Sequence, residues 1–216
     1  MAQKRKGRVV ATDAPMEDID RFLQENPLLA NHYLGHLHFE TRAIAAKYAN
    51  VFLLPRLLSD SDPSVRWNAV ERLPERYLLD LRSDPHRDVR MRVAARLSSK
   101  DLQPMMNDPD HGVRLVVAQR IARSILPNMM RDSDAEVRRV AARRIEARWL
   151  MQMASDVDAG VHLQVAYRLG PDDLLRLRRD PDWRVRHHVA SRIGLAELPA
   201  MNGEVDPLVE EAAHKR

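Results

Sequence analysis

The chain has 216 residues, 44% apolar and 5% aromatic, with a formal net charge of +4. It has no cysteine, which excludes disulfides, thiolate-bound zinc, Cys-ligated iron–sulfur clusters and a Cys nucleophile. No apolar run reaches the roughly 18–20 residues of a membrane span, and scarce glycine without Val/Thr/Tyr alternation favours an all-α fold. One elongated domain of a soluble cytoplasmic protein is the expectation.

Residues 1–12 form a basic stretch with Lys4, Arg5, Lys6 and Arg8. It lacks the apolar segment of a secretory signal and reads as a disordered tail. Residues 13–50 read as a helical cap. Asp13 to Leu23 has the spacing of a capped amphipathic helix, with Met16, Ile19, Phe22 and Leu23 on one side. A second helix follows Pro27. His32, His36, His38 and Glu40 make the one metal-like cluster; His32 and His36 share a face if the stretch is helical. No second pair completes it, and Leu34, Leu37 and Phe39 read as packing residues, so no metal is assigned. Thr41 to Ala49 is a degenerate first repeat, with Arg42, Ala45 and Ala46 in register with the later units.

Residues 51–216 are periodic. Valine stands at Val65, Val89, Val113, Val137, Val161, Val185 and Val209, in steps of 24 residues. An acid precedes each by five positions, from Asp60 through Asp84, Asp108, Asp132, Asp156 and Asp180 to Glu204. Arginine follows each by seven, from Arg72 through Arg96, Arg120, Arg144, Arg168 and Arg192 to Arg216. Leu54, Leu78, Leu102, Leu126, Leu150, Leu174 and Leu198 keep the same register, with a Leu or Met three residues after each. About seven units stack without insertion.

The spacing in each unit predicts a helix of about three turns. Val65, Ala69, Val70 and Leu73 make one apolar stripe. Asp62 before Pro63 has the form of an N-cap followed by proline at the first helical position, and Asp110, Asp134, Asp158, Asp182 and Asp206 hold the same place. Pro74, Gly170 or Gly194 marks the helix end. The segment from Leu78 to Leu81 is too short for a stable α-helix and fits a 3-10 turn. Neither piece buries its apolar face alone, so neighbours must stack, about 8–10 Å apart.

The 24-residue pattern L-x-x-L-x-x-D … V-R-x-x-(V/A)-A-x-R-(L/I) resembles the leucine-rich repeat variant family, over Leu54 to Arg216. The resemblance implies a right-handed superhelical solenoid of alternating α and 3-10 helices without β-sheet. Some members carry an N-terminal cysteine-ligated iron–sulfur cluster, and some are linked to nitrogen fixation. With no cysteine here, neither the cluster nor a redox role carries over, and no cofactor is expected.

Two arginine rows invite a nucleic-acid reading. Arg66, Arg90, Arg114, Arg138 and Arg186, with His162 in the same column, lie about 100° from the anchor valine, and the Arg72 row lies at about −20°. Both border the apolar arc, so both read as Asp–Arg ladders that hold successive units together. The positions two, three and six after each valine should be the most exposed, at about 200–300°. They include Trp67, Met91, Leu115, Val116, Val140, Leu163 and Tyr167, with Arg92, Arg139, Arg143, His187 and His188 among them. An exposed apolar strip edged with charge is a partner surface. His187 and His188 are adjacent and so point apart, a poor ligand pair on a helix. No nucleophile elbow, Gly-rich phosphate loop or H-E-x-x-H is present. The expected function is a non-enzymatic protein-binding scaffold without membrane or small-molecule ligand. The alternative is a nucleic-acid-binding solenoid using Arg92, Arg139, Arg143 and the basic tail.

Overall fold

Residues 14–194, 199, 201 and 206–214 are described by the computed structural model, and no strand occurs among them. The basic tail 1–12 lies outside the described residues. The α-helices are α1 (Met16–Glu25), α2 (Pro27–Tyr33), α3 (Phe39–Tyr48), α4 (Pro63–Arg72), α5 (Arg87–Arg96) and α6 (His111–Arg120). They continue with α7 (Ala135–Arg144), α8 (Ala147–Leu150), α9 (Ala159–Arg168), α10 (Pro171–Leu174), α11 (Trp183–Arg192) and α12 (Pro207–His214).

The chain divides into two compact units, Met1–Pro104 and Met105–Arg216. In the first, α1 and α2 pack on α3, α3 on α4, and α4 on α5. In the second, α6 packs on α7, α7 on α9, α9 on α11, and α11 on α12. Nearest-neighbour stacking of this kind is how a repeat array buries its core.

Each full repeat helix from α4 to α11 is ten residues long, and local chemistry sets both ends. At the start, Asp62, Asp110, Asp134, Asp158 and Asp182 accept backbone N–H bonds from the first turn. His86 holds that place in α5 without a side-chain cap bond. At the end, α4, α9 and α11 stop where expected, with the C-cap directly before Pro74, Gly170 and Gly194, while α5, α6 and α7 stop with no glycine or proline there. Leu73, Leu97, Ile121, Ile145, Leu169 and Ile193 terminate the helices by turning into extended backbone. Each of these side chains is buried, so the stop also adds to the core.

The second segment is longer than one turn. It is 3-10 helix over Val51–Ser59, and paired 3-10 turns over Glu75–Tyr77 and Leu79–Ser83. In later repeats its first turn closes as α-helix, in α8 and α10. Pro171 at the helix start, followed by Asp172 and Asp173, favours that turn in α10. The valine column is fully buried from Val65 to Val185 and again at Val209. Burying one such side chain contributes about 1.5–3 kcal/mol.

In the cap, α1 begins after Pro15, which gives no side-chain cap bond. Ile19 and Leu23 are buried as expected, while Met16 is exposed. Arg42 donates to Asp60 at 2.7 and 2.8 Å, so the degenerate first repeat joins the ladder.

Candidate binding surface

The two arginine rows do different jobs. At the N-terminal end of each helix the row is the expected Asp–Arg ladder. Arg66 forms a two-pronged pair with Asp84 at 2.7 and 2.8 Å. Arg114 does the same with Asp132 at 2.8 and 2.9 Å, and Arg138 with Asp156 at 2.7 and 2.9 Å. Each of these arginines also donates to two carbonyls just ahead of its own helix, as Arg138 does to Asp132 and Ser133. Each ladder aspartate then accepts the N–H two residues on, as Asp132 does from Asp134 at 2.9 Å. That bond positions the cap residue of the next helix.

Burial disfavours the charged forms of Asp132 and Asp156, but the guanidinium and backbone bonds outweigh it and hold both carboxyls below their ordinary range. The Arg42 bond does the same for Asp60. His162 replaces arginine in one unit, with Nδ1 2.9 Å from Asp180 Oδ2 but without hydrogen-bond alignment, and Nε2 against the Asp156 carbonyl.

The second row corrects the sequence expectation: it is not an Asp–Arg ladder. Arg72 donates to the carbonyls of Ala46 and Ala49 at 2.8 and 2.7 Å. Arg144 donates to Ala118 and Ile121, Arg168 to Ala142, and Arg192 to Ala166 and Tyr167. These acceptors lie at the C-terminal end of the preceding repeat helix, where carbonyls lack partners and the helix dipole is negative. Each arginine thus caps the helix before it, the task a left-handed glycine performs elsewhere. Burial pulls the pKa of Arg72, Arg144 and Arg168 below the usual arginine value.

The face expected to be most exposed is mostly half-buried. Trp67, Met91, Leu115, Val116 and Leu163 are intermediate, and Val140 is fully buried. Helices flanked on both sides leave only a narrow open arc. It follows the sixth position after the valine, where Glu71, Ala95, Gln119, Arg143 and Tyr167 are exposed. In the first unit, the Arg92 guanidinium lies 4.5 Å over the Trp67 ring and 2.5 Å from Glu71. In the second, Arg139 is paired with Asp158 through two 2.7 Å bonds and also meets Glu136. Two of the three arginines chosen for a nucleic-acid track are therefore held by carboxylates. Arg143 is exposed and makes no hydrogen bond or ion pair among the described residues. Tyr167 stands edge-on to His188 at 4.7 Å, and His187 is edge-on to Trp183 at 6.4 Å. Burial, then Arg192 and His187, lower the pKa of His188.

The N-terminal histidines do not share a helix face. α2 ends at Tyr33, which leaves His36 in the turn beyond it, and His38 donates its N–H to His36 Nδ1 at 3.2 Å. Leu34 is buried, but Leu37 is 87% exposed and Phe39 also faces solvent, so this stretch is not the packed helix expected. Among the described residues no group of three or more His, Asp or Glu is placed to hold a metal ion. None of their helices is long and apolar enough to cross a membrane. Sequence reasoning passed over Arg123, exposed on the segment after α6. The signal was its column, which changes from Glu75 to Ser99 to Arg123.

No protein-family model matches the chain. A solved structure, described as a leucine-rich repeat variant with a novel repetitive protein structural motif, is 40% identical with a TM-score of 0.90. The match covers 96% of this chain and 88% of that one. An uncharacterized 27.7 kDa protein in the nifB 3′ region of Rhodobacter capsulatus is 61% identical over 56 residues, 26% of this chain. That match spans 23% of the relative's own length. A solved engineered protein is 14% identical with a TM-score of 0.44, over 94% of this chain and 80% of that one.

Proposed function

The chain belongs to the leucine-rich repeat variant family, and from that premise we propose that it is a non-enzymatic, cytoplasmic scaffold that binds a protein partner on the open faces of its repeat helices. The observation that carries this reading is the division of labour among columns. The regular Asp and Arg columns are engaged in ladders and caps, where they hold the stack. The columns that vary from unit to unit lie on the open arc or border it. They supply Trp67 and Met91 in the first unit, and Leu115, Leu163 and Tyr167 with Arg139, Arg143, His187 and His188 in the second. Half-buried apolar side chains rimmed by charge match the anatomy of a protein interface.

The test is affinity capture with the full chain. Trp67→Ala with Met91→Ala, and separately Leu115→Ala with Leu163→Ala, are compared with the unsubstituted protein after thermal melts confirm folding. Loss of the same specific partner from one or both variants supports the reading. An unchanged set of captured proteins from both overturns the surface assignment.

A further inference from the structure

The C-terminal edge of the second unit carries more guanidinium charge than its neighbours absorb. Arg123 and Arg143 are exposed, and neither makes a hydrogen bond or ion pair among the described residues. Beside them, Arg144 and Arg168 direct their bonds to carbonyls, which are neutral, so their charge is not cancelled. Burial first, and then repulsion from Arg123, hold both of these arginines below the ordinary arginine pKa. Arg144 reaches the carbonyl of Ile121, two residues before Arg123, and Arg168 reaches that of Ala142, the residue before Arg143, so the four cations follow one edge of the stack. Of the described carboxylates on this edge, Glu146 is paired with Arg148 at 2.8 Å and Asp173 with Arg176 at 3.6 Å, which leaves Asp172.

The column that carries Arg143 carries an aromatic ring in the next repeat. Tyr167 is in the same column as Arg143, one repeat further on, and precedes Arg168. It is 52% exposed and is held edge-on by His188. An acidic peptide answers such charge chiefly with its carboxylates and does not require the ring. Single-stranded nucleic acid uses both, with phosphates on arginines and bases stacked on aromatic faces.

We propose that Arg123, Arg143, Arg144, Arg168 and Tyr167 form a binding track for single-stranded nucleic acid, in which the guanidiniums hold phosphates and the Tyr167 ring stacks a base. This goes beyond the protein-scaffold reading and does not depend on it. Its test uses substitutions other than those at Trp67, Met91, Leu115 and Leu163, so either reading can fail alone.

The full chain is titrated into fluorescein-labelled oligothymidylate and oligouridylate, with anisotropy read from about 50 to 200 mM salt. Binding should weaken log-linearly with salt. Arg123→Gln with Arg143→Gln should reduce the slope by about 1.4, since each phosphate no longer held removes about 0.7. Tyr167→Ala should weaken binding about tenfold, and Tyr167→Phe should not. The matched control is Arg131→Gln with Arg179→Gln. It removes two other exposed arginines that make no hydrogen bond or ion pair among the described residues, and should bind like the unsubstituted chain. Absence of binding at the lowest salt overturns the proposal. An equal loss in the control overturns it in favour of diffuse charge attraction. Competition by polyglutamate as strong as by an oligonucleotide of the same charge overturns it in favour of an acidic protein partner.

Discussion

The two ends of one helix show how the same residue type does two kinds of work. In α7, Arg138 near the N-terminus meets a carboxylate, while Arg144 at the C-terminus meets carbonyls. The first arrangement cancels charge: Asp156 answers Arg138, and both side chains are about nine-tenths buried. The second satisfies hydrogen bonds and the helix dipole but leaves a net positive charge. The N-terminal edge is therefore electrically closed and structural. The C-terminal edge stays cationic and can attract an anionic ligand, as the more conspicuous ladder cannot.

Substitutions on that single helix can break the contrast. Arg138→Ala strands the Asp156 carboxylate in a buried place, and removing one partner of such a pair costs about 3–5 kcal/mol. Arg144→Ala removes the donors of two neutral carbonyls, those of the buried Ala118 and Ile121. The expected loss is about 1.5–3 kcal/mol, the range for a hydrogen bond to a charged group. Urea denaturation of both variants at neutral pH decides the order. A larger loss for Arg144→Ala would mean that the carbonyl caps, not the ion pairs, hold the repeats together.

The smallest expected effect concerns pH. The Arg139 bonds hold the Asp158 carboxyl down to about 2, whereas an unfolded aspartate titrates near 3.9. A depressed carboxyl stabilises the fold above its unfolded pKa, and that stabilisation is lost as pH falls through the folded value. Arg139→Gln should therefore be less stable than the unsubstituted chain at pH about 5–7, and the gap should close between pH about 4 and 2. A gap independent of pH would show that Arg139 acts by packing alone. Because Arg139 lies on the open face, the same measurement tells whether that face holds charge as tightly as the buried ladder does.

Much of this is legible in the residues. The valine, leucine and aspartate columns announce the period, the ten-residue helices and their Asp caps, because local spacing and capping chemistry are written in sequence. The Arg66 column joins the Asp84 column as expected, since a buried cation at a repeating position needs an equally periodic anion. The Arg72 column departs from expectation because a carbonyl acceptor has no side-chain signature. The helix stops are legible in part: Pro74 and Gly170 mark two of them, but Ile121 ends α6 by turning extended into the core, and isoleucine carries no breaker signal.

By itself, then, the sequence determined the all-helical repeat, its register and the valine and leucine columns of the core, since an apolar stripe at one helical phase must be covered by the next repeat. The tertiary structure decided which cations remain uncompensated. Arg92, Arg139 and Arg143 look alike on a helical wheel. Only the packing of adjacent repeats brings Glu71 to the first and Asp158 to the second, while the third stays open. A side chain's net charge in its surroundings depends on neighbours one repeat away, and that distance is closed only in the folded stack.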